Sequence, residues 1–229
     1  MTAKLSFICH DAGGQRQVEA TIDTLVIAGW AGRDEAALRH HIEELAAIGV
    51  PRPSSVPVFY RCAASLLTQA SGIDVLGPDS SGEVEPVVVA LEDGLWLGIG
   101  SDHTDRKAET AGIALSKQLC PKPVSRDLWR LDEVIDRWDT LELRSYAHIN
   151  RERVLYQSGH LSGLRTPDDL IARWTSGGAL LPGTLMFGGT LGAIGGIRPA
   201  AGFEMEIMDA RTGRKLNHSY DITALPMVS

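Results

Sequence analysis

One segment constrains this chain more than any other. It runs Glu83-Val-Glu85-Pro-Val-Val-Val-Ala-Leu-Glu92, then Asp93-Gly94, then Leu95-Trp-Leu-Gly-Ile-Gly100. The β-branched apolar run reads as a strand. Asp-Gly is a strong two-residue hairpin signal, because a type I′ turn needs positive φ at both central positions. With Asp93 and Gly94 as the turn, Glu92 faces Leu95 and Glu85 stands across from Asp102, their Cβ atoms roughly 5 Å apart. Glu83, two residues before Glu85, points to the same face. Three carboxylates packed this closely repel one another unless a cation lies between them, so Glu83, Glu85 and Asp102 are the candidate metal ligands. The competing reading is the solvated acidic face of an edge strand, and a bulge after Gly100 would shift the register.

With 24 glycines, 11 prolines and many short alternating runs, the chain reads as a β-rich α+β protein with few helices. Its 229 residues can bury a sizeable core. The division expected is a small N-terminal strand subdomain over 1–32 and a main domain over 33–229. A net charge of −7 and the lack of any Lys/Arg cluster argue against nucleic acid as a partner. Cys9, Cys62 and Cys120 are odd in number and widely spaced, as expected of free thiols in a reducing compartment. The N-terminus lacks the basic and apolar regions of a signal peptide. The most apolar run, 179–194, is interrupted by Pro182 and several glycines, so no membrane span is expected. A soluble cytoplasmic protein is the expectation.

Residues 4–9 and 17–28 read as strands around Gly13-Gly14. The clearest helix covers 34–48, capped by Asp34 and ended by Gly49, with Leu38, Ile42 and Leu45 on one face. A Pro-rich connector, 51–57, leads to Val58-Phe-Tyr-Arg-Cys. Leu131, Val134, Ile135 and Trp138 are spaced for a second helix over 127–138. Strands are expected near 140–149 and 153–157. Thr166-Pro-Asp-Asp169 has a capping-box layout with proline at the first helical position, predicting a third helix over 167–176. Residues 184–222 are Gly-rich and then alternating, with a turn at Thr212-Gly213.

Several motifs together resemble the fumarylacetoacetate hydrolase superfamily. They are Leu181-Pro-Gly-Thr-Leu-Met-Phe-Gly-Gly-Thr190, Phe203-Glu-Met-Glu-Ile and Gly213-Arg-Lys-Leu-Asn217. Earlier segments then fall into that family's order. Glu83-Val-Glu85 matches its Glu-x-Glu ligands, and Asp102-His-Thr-Asp-Arg106 its Asp-x-Thr-x-Arg. Lys117-Gln-Leu-Cys-Pro-Lys-Pro123 resembles its active-site lysine segment. Val58-Phe-Tyr-Arg61 resembles a "F-x-K-P" strand, and His41-Ile-Glu-Glu44 matches its His-x-x-Glu dyad. Arg61 stands where lysine is usual, and Leu191 replaces a proline, which marks a divergent, uncharacterised branch.

The resemblance implies a mixed β-sandwich roll, a homodimer and a small oxo acid as substrate. An all-oxygen ligand set suits Mg²⁺ or Mn²⁺ rather than zinc. The implied reaction is hydrolytic cleavage of a C–C bond in a 2-oxo or 1,3-diketo acid, with decarboxylation or hydration as alternatives. A catalytically silent binding protein of the same fold is a further alternative. Two His/Glu pairs have helical spacing, His40/Glu43 and His41/Glu44. His41 flanks the apolar stripe while His40 points away, so His41 is the candidate base and Glu44 its orienting partner. Lys117 is a candidate for stabilising developing negative charge, or a solvated lysine. Arg106 is a substrate contact or a structural ion-pair partner. Gly189 and Thr190 lie in a Gly-rich loop whose N–H groups can bind a carboxylate. His103, His148 and His218 lack ligand-like spacing and read as structural. Trp138, Trp174, Met186 and Phe187 are candidate interface residues, or core.

Overall fold

The computed structural model describes residues 2–47 and 52–228, apart from the side chains of residues 41 and 44–47. In chain order the strands begin with β1 (Ala3–Asp11), β2 (Gly14–Ile22), β3 (Thr24–Gly29), β4 (Val58–Cys62), β5 (Leu67–Thr68) and β6 (Gly72–Leu76). They continue with β7 (Ser80–Ser81), β8 (Val84–Leu91), β9 (Gly94–Ser101), β10 (Thr104–Asp105), β11 (Lys122–Pro123) and β12 (Asp127–Arg130). The last are β13 (Glu142–Ile149), β14 (Glu152–His160), β15 (Thr184–Phe187), β16 (Gly202–Asp209) and β17 (Arg214–Leu225). Among the described residues four α-helices interrupt them: α1 (Glu35–Ala47), α2 (Arg106–Glu109), α3 (Ile113–Leu119) and α4 (Pro167–Thr175).

The expected β-rich body is present. One sheet has eight strands in the order β2-β1-β12-β9-β8-β15-β3-β4, and a second has five in the order β14-β13-β16-β17-β6. The fully buried strand Val84–Leu91, inside the larger sheet, has a core on each of its faces. On one side Val84, Val88 and Ala90 pack with Leu143, Met205, Ile207 and Leu216 of the smaller sheet. On the other side Val87, Val89 and Leu91 pack with Leu5, Phe7, Ile22, Leu25 and Ile27 of their own sheet. Side chains of one sheet can meet each other this way only if it curls, so the larger sheet wraps a second core. Two-residue ladders, β7 with β10 and β5 with β11, tie loops across the end of that core.

The segment 1–32, expected as a small unit, supplies β1, β2 and β3 to the eight-stranded sheet. The expected strand 17–28 breaks at Asp23. β2 pairs with β1, whereas β3 lies on the far side of the sheet between β15 and β4. The expected helix over 127–138 is not formed. Asp127–Arg130 is a strand filling the gap between β1 and β9, and 3-10 turns follow at Leu131–Glu133 and Ile135–Thr140. Leu131, Val134 and Trp138 are nonetheless all buried, in or between two 3-10 segments, the second kinked at Arg137, which is why their spacing mimics a helix. The capped helices agree with their signals. Asp34 Oδ1 accepts from the N–H groups of Ala36 and Ala37, both at 3.0 Å, and Thr166 caps α4. Gly49 lies outside the described residues.

Candidate metal centre

The central hairpin closes on the pair Leu91 and Gly94, so Glu92 and Asp93 are its turn residues. Both keep negative φ, and Gly94 takes φ 129° just after the turn. The left-handed freedom is therefore used one residue later than a type I′ turn would need it. This moves the expected register by two residues. Glu85 faces Gly100, not Asp102, and the Asp102 N–H donates to the Glu83 carbonyl oxygen at 3.0 Å. A shift of two preserves the face, because side chains alternate with period two. Glu83 and Glu85 thus continue the row Val87, Val89, Leu91 and sit at the end of the second core. One carboxylate oxygen from each of Glu83, Glu85 and Asp102 lies within 4.8 Å of the others.

Asp102 is fully buried and faces two ammonium groups. Lys117, on α3, contacts its Oδ2 and lies 3.8 Å from Glu83 Oε2. Lys122, on β11, is 3.1 Å from Asp102 Oδ1 and donates to the His103 carbonyl. Burial pushes the Asp102 pKa up, but the two lysines together push it further and hold it below the usual carboxylate range. Burial also works against the Lys117 charge, and Asp102, Glu83 and Glu85 outweigh it, raising its pKa above the usual lysine range. Lys122 was not singled out from the sequence, although it stands in the same segment as Lys117. Only the short ladder with β5 shows that it turns inward.

Glu85 is 2% exposed. Burial, then Asp102 and Glu83, push its pKa well above the usual range. Its Oε2 accepts the Gly189 N–H at 2.7 Å. Gly189 has φ 92°, and a Cβ there would stand 2.6 Å from that of Ala31, so glycine is required for this turn. Thr190 Oγ1 donates to the Val84 carbonyl at 2.8 Å. The expected Gly-Thr loop therefore holds a carboxylate, but that carboxylate is Glu85. Behind it lies Gln157, which the sequence reading passed over. Its Oε1 accepts from Val84 N–H and Ser145 Oγ, and its Nε2 donates to Thr190 Oγ1 and Leu191 O. An uncharged polar residue within an alternating strand was its only signal.

Arg106 stands in its ion-pair reading: it reaches Glu83 Oε1 at 3.0 Å, Glu109 at 3.1 Å and Ser81 Oγ at 2.7 Å. His103 is buried between Ser80 Oγ, at 2.9 Å, and Tyr220 OH, at 3.0 Å. Burial, then Lys122 and Arg106, lower its pKa to about 3, so it is a neutral structural group. His148 pairs with Glu204 at 2.6 Å, away from the site. Arg61 is exposed, whereas its neighbour Tyr60 places its ring 5.6 Å from the Lys117 ammonium. His41 and Glu44 belong to α1, but their side chains lie outside the described residues. Trp138, Met186 and Phe187 are buried in this chain's own core, and Trp174 packs on Phe59 at a centroid distance of 5.5 Å.

The donor set suits a hard divalent cation. It is all oxygen, three carboxylates converge, and two of them, Glu85 and Asp102, are buried. Like charges this close and away from water repel, and a divalent cation would offset that repulsion.

Solved structures share this architecture. Over 90% of this chain and 95% of the other, it superposes on yeast ynq8, a fumarylacetoacetate hydrolase family protein, with TM-score 0.64 and 14% identity. Cg1458, solved with an inhibitor, gives TM-score 0.67 at 16% identity over 93% of this chain and 81% of the other. A 2-keto-3-deoxy-D-arabinonate dehydratase complexed with magnesium and 2,5-dioxopentanoate gives TM-score 0.65 at 13% identity, covering 90% of this chain and 74% of that one. The fold is thus the one the sequence motifs resemble, that of the fumarylacetoacetate hydrolase family. Residues 28–220 match the family described as "Protein of unknown function (DUF2848)", and the chain belongs to that family. None of the curated proteins matches it.

Proposed function

We propose that this protein is a divalent-metal-dependent enzyme that cleaves a C–C bond of a small 2-oxo or 1,3-diketo acid by hydrolysis. The observation that carries this reading is the convergence of Glu83, Glu85 and Asp102 at the end of a buried core. These three residues would hold Mg²⁺ or Mn²⁺, which when bound would supply Lewis-acid stabilisation of an enolate. Lys117 supplies a positive charge beside the ligands, able to stabilise negative charge that develops on the substrate. Arg106 and the Gly189-Thr190 turn position Glu83 and Glu85 and are the proposed substrate contacts. His41, oriented by Glu44, is the proposed general base; a helix carries both at a spacing of three.

Decarboxylation or hydration on the same centre is the second reading, favoured by the dehydratase among the structures of similar fold. The proposal extends to a roll-shaped main domain over 33–229, a homodimeric state and a cytoplasmic setting. No described helix is long and apolar enough to cross a membrane.

Turnover of a panel of short 2-oxo and 1,3-diketo acids, with Mg²⁺, Mn²⁺ or chelator, tests the proposal. Metal-dependent release of two carbon fragments that Glu85→Ala abolishes is the expected result. Release of CO₂, or dehydration alone, would place the chain with the lyases. Bound metal with no turnover of any acid would favour a silent binding protein.

A further inference from the structure

We propose that the Lys117 ammonium is a resident competitor for the divalent cation, so that this one side chain sets how tightly the centre binds metal. The inference rests on the reading of Glu83, Glu85 and Asp102 as a metal centre.

Three cations face the three carboxylates, and they are not equivalent. Arg106 reaches Glu83, and its other nitrogens are tied to Glu109 and Ser81. Lys122 reaches Asp102, is fully buried and is anchored on the His103 carbonyl. Lys117 is the one that spans two of the carboxylates among the described residues: its Nζ contacts Asp102 Oδ2 and lies 3.8 Å from Glu83 Oε2. Only 8% of its side chain is exposed, and the Tyr60 ring stands 5.6 Å from the ammonium. The aromatic face adds an attraction that holds the charge in this place.

A divalent ion held by Glu83, Glu85 and Asp102 would share the oxygens on which Lys117 rests. Two positive centres sharing ligands at this range repel strongly away from bulk water. Binding of the ion therefore requires the ammonium to withdraw. A lysine can do so, since its charge sits at the end of a flexible four-carbon stem. The free energy of withdrawal is subtracted from the ion's own affinity, so metal affinity reports on Lys117 even in the absence of any substrate.

The test is calorimetric titration of the full chain with Mg²⁺ at one pH and ionic strength. Lys117→Met removes the charge but keeps an unbranched stem of similar length, and should bind Mg²⁺ at least about tenfold tighter than wild type. Lys117→Arg keeps the charge and should bind no tighter than wild type. Lys107→Met, at an exposed position of α2, should leave the affinity unchanged. Thermal melting establishes that each variant is folded, and Lys117→Gln replaces Lys117→Met if the latter is not. Tighter binding in the uncharged variant supports the inference, even if wild type shows no measurable binding. Wild-type binding that Lys117→Met leaves equal or weaker overturns the inference while the metal centre stands. Absence of binding in both chains overturns the metal centre as well.

Discussion

The Asp102 backbone N–H donates to the Glu83 carbonyl oxygen at 3.0 Å. That single bond fixes the geometry of the centre. It extends the β8–β9 ladder one step past Val84 and Ser101, and it sets the two side chains on one face at the mouth of the second core. Glu85, one pleat further in, completes the group. The lysines and Gly189 approach from separate segments, so the site depends on long-range pairing that the hairpin alone cannot provide.

Gln157 holds that pairing together. Its side chain is 1% exposed and joins Val84, Ser145, Thr190 and Leu191. Gln157→Leu leaves these groups without partners and should lower unfolding stability by about 2–4 kcal/mol. Urea unfolding checks this. A loss below about 0.5 kcal/mol would show that the network is dispensable.

His103 gives a signed pH dependence. Its folded-state pKa, about 3, lies below the ordinary value of 6.5, so the unfolded chain binds the proton more readily. Its stabilising contribution is full above pH 6.5 and is lost as the pH falls towards 3. The slope is at most about 1.4 kcal/mol per pH unit from this residue. Between pH 7.5 and 5, wild type should lose more stability than His103→Gln in urea titrations. Parallel behaviour of the two chains would contradict a neutral buried imidazole.

The three cysteines are free and buried. Burial pushes the Cys9 and Cys120 thiols up to about 11 and raises Cys62 as well. A thiolate-selective reagent at pH 8 should leave the native chain unmodified and label all three residues after denaturation. Rapid labelling of native Cys9 would contradict its burial in the core of the larger sheet.

Oligomeric state is an open prediction of the family resemblance. Light scattering at micromolar concentration should give twice the 24.7 kDa of one chain, and a mass near 24.7 kDa would refute the homodimer. Trp138, Met186 and Phe187 no longer argue for it, because they fill this chain's own core.

Much of the centre was legible because strand parity is robust. The turn was placed one residue late, yet the error amounts to two residues of register, and Glu83, Glu85 and Asp102 stay on one face. Arg106 and Gly189 were legible as neighbours of carboxylates, but their partners are Glu83 and Glu85. Lys122 and Gln157 were not legible. Each turns inward only because distant strands pair, and neither carries a local motif. The helix expected over 127–138 failed for a related reason: Leu131, Val134 and Trp138 are buried as they would be on an α-helix, but a strand and two 3-10 segments, the second kinked, carry the chain there. Splitting of the N-terminal run at Asp23 depends on β3 finding β15, some 160 residues away, which no local propensity encodes.

Glu83, Glu85 and Asp102 are proposed to hold one divalent cation. Calorimetric titration of the wild-type chain and the Glu83→Ala/Glu85→Ala variant with Mg²⁺ and Mn²⁺ tests this most directly. One ion per chain is expected for wild type and no binding for the double variant at the same concentrations, with both chains folded by circular dichroism. Undiminished binding by the folded double variant would place the ion elsewhere and contradict the assignment.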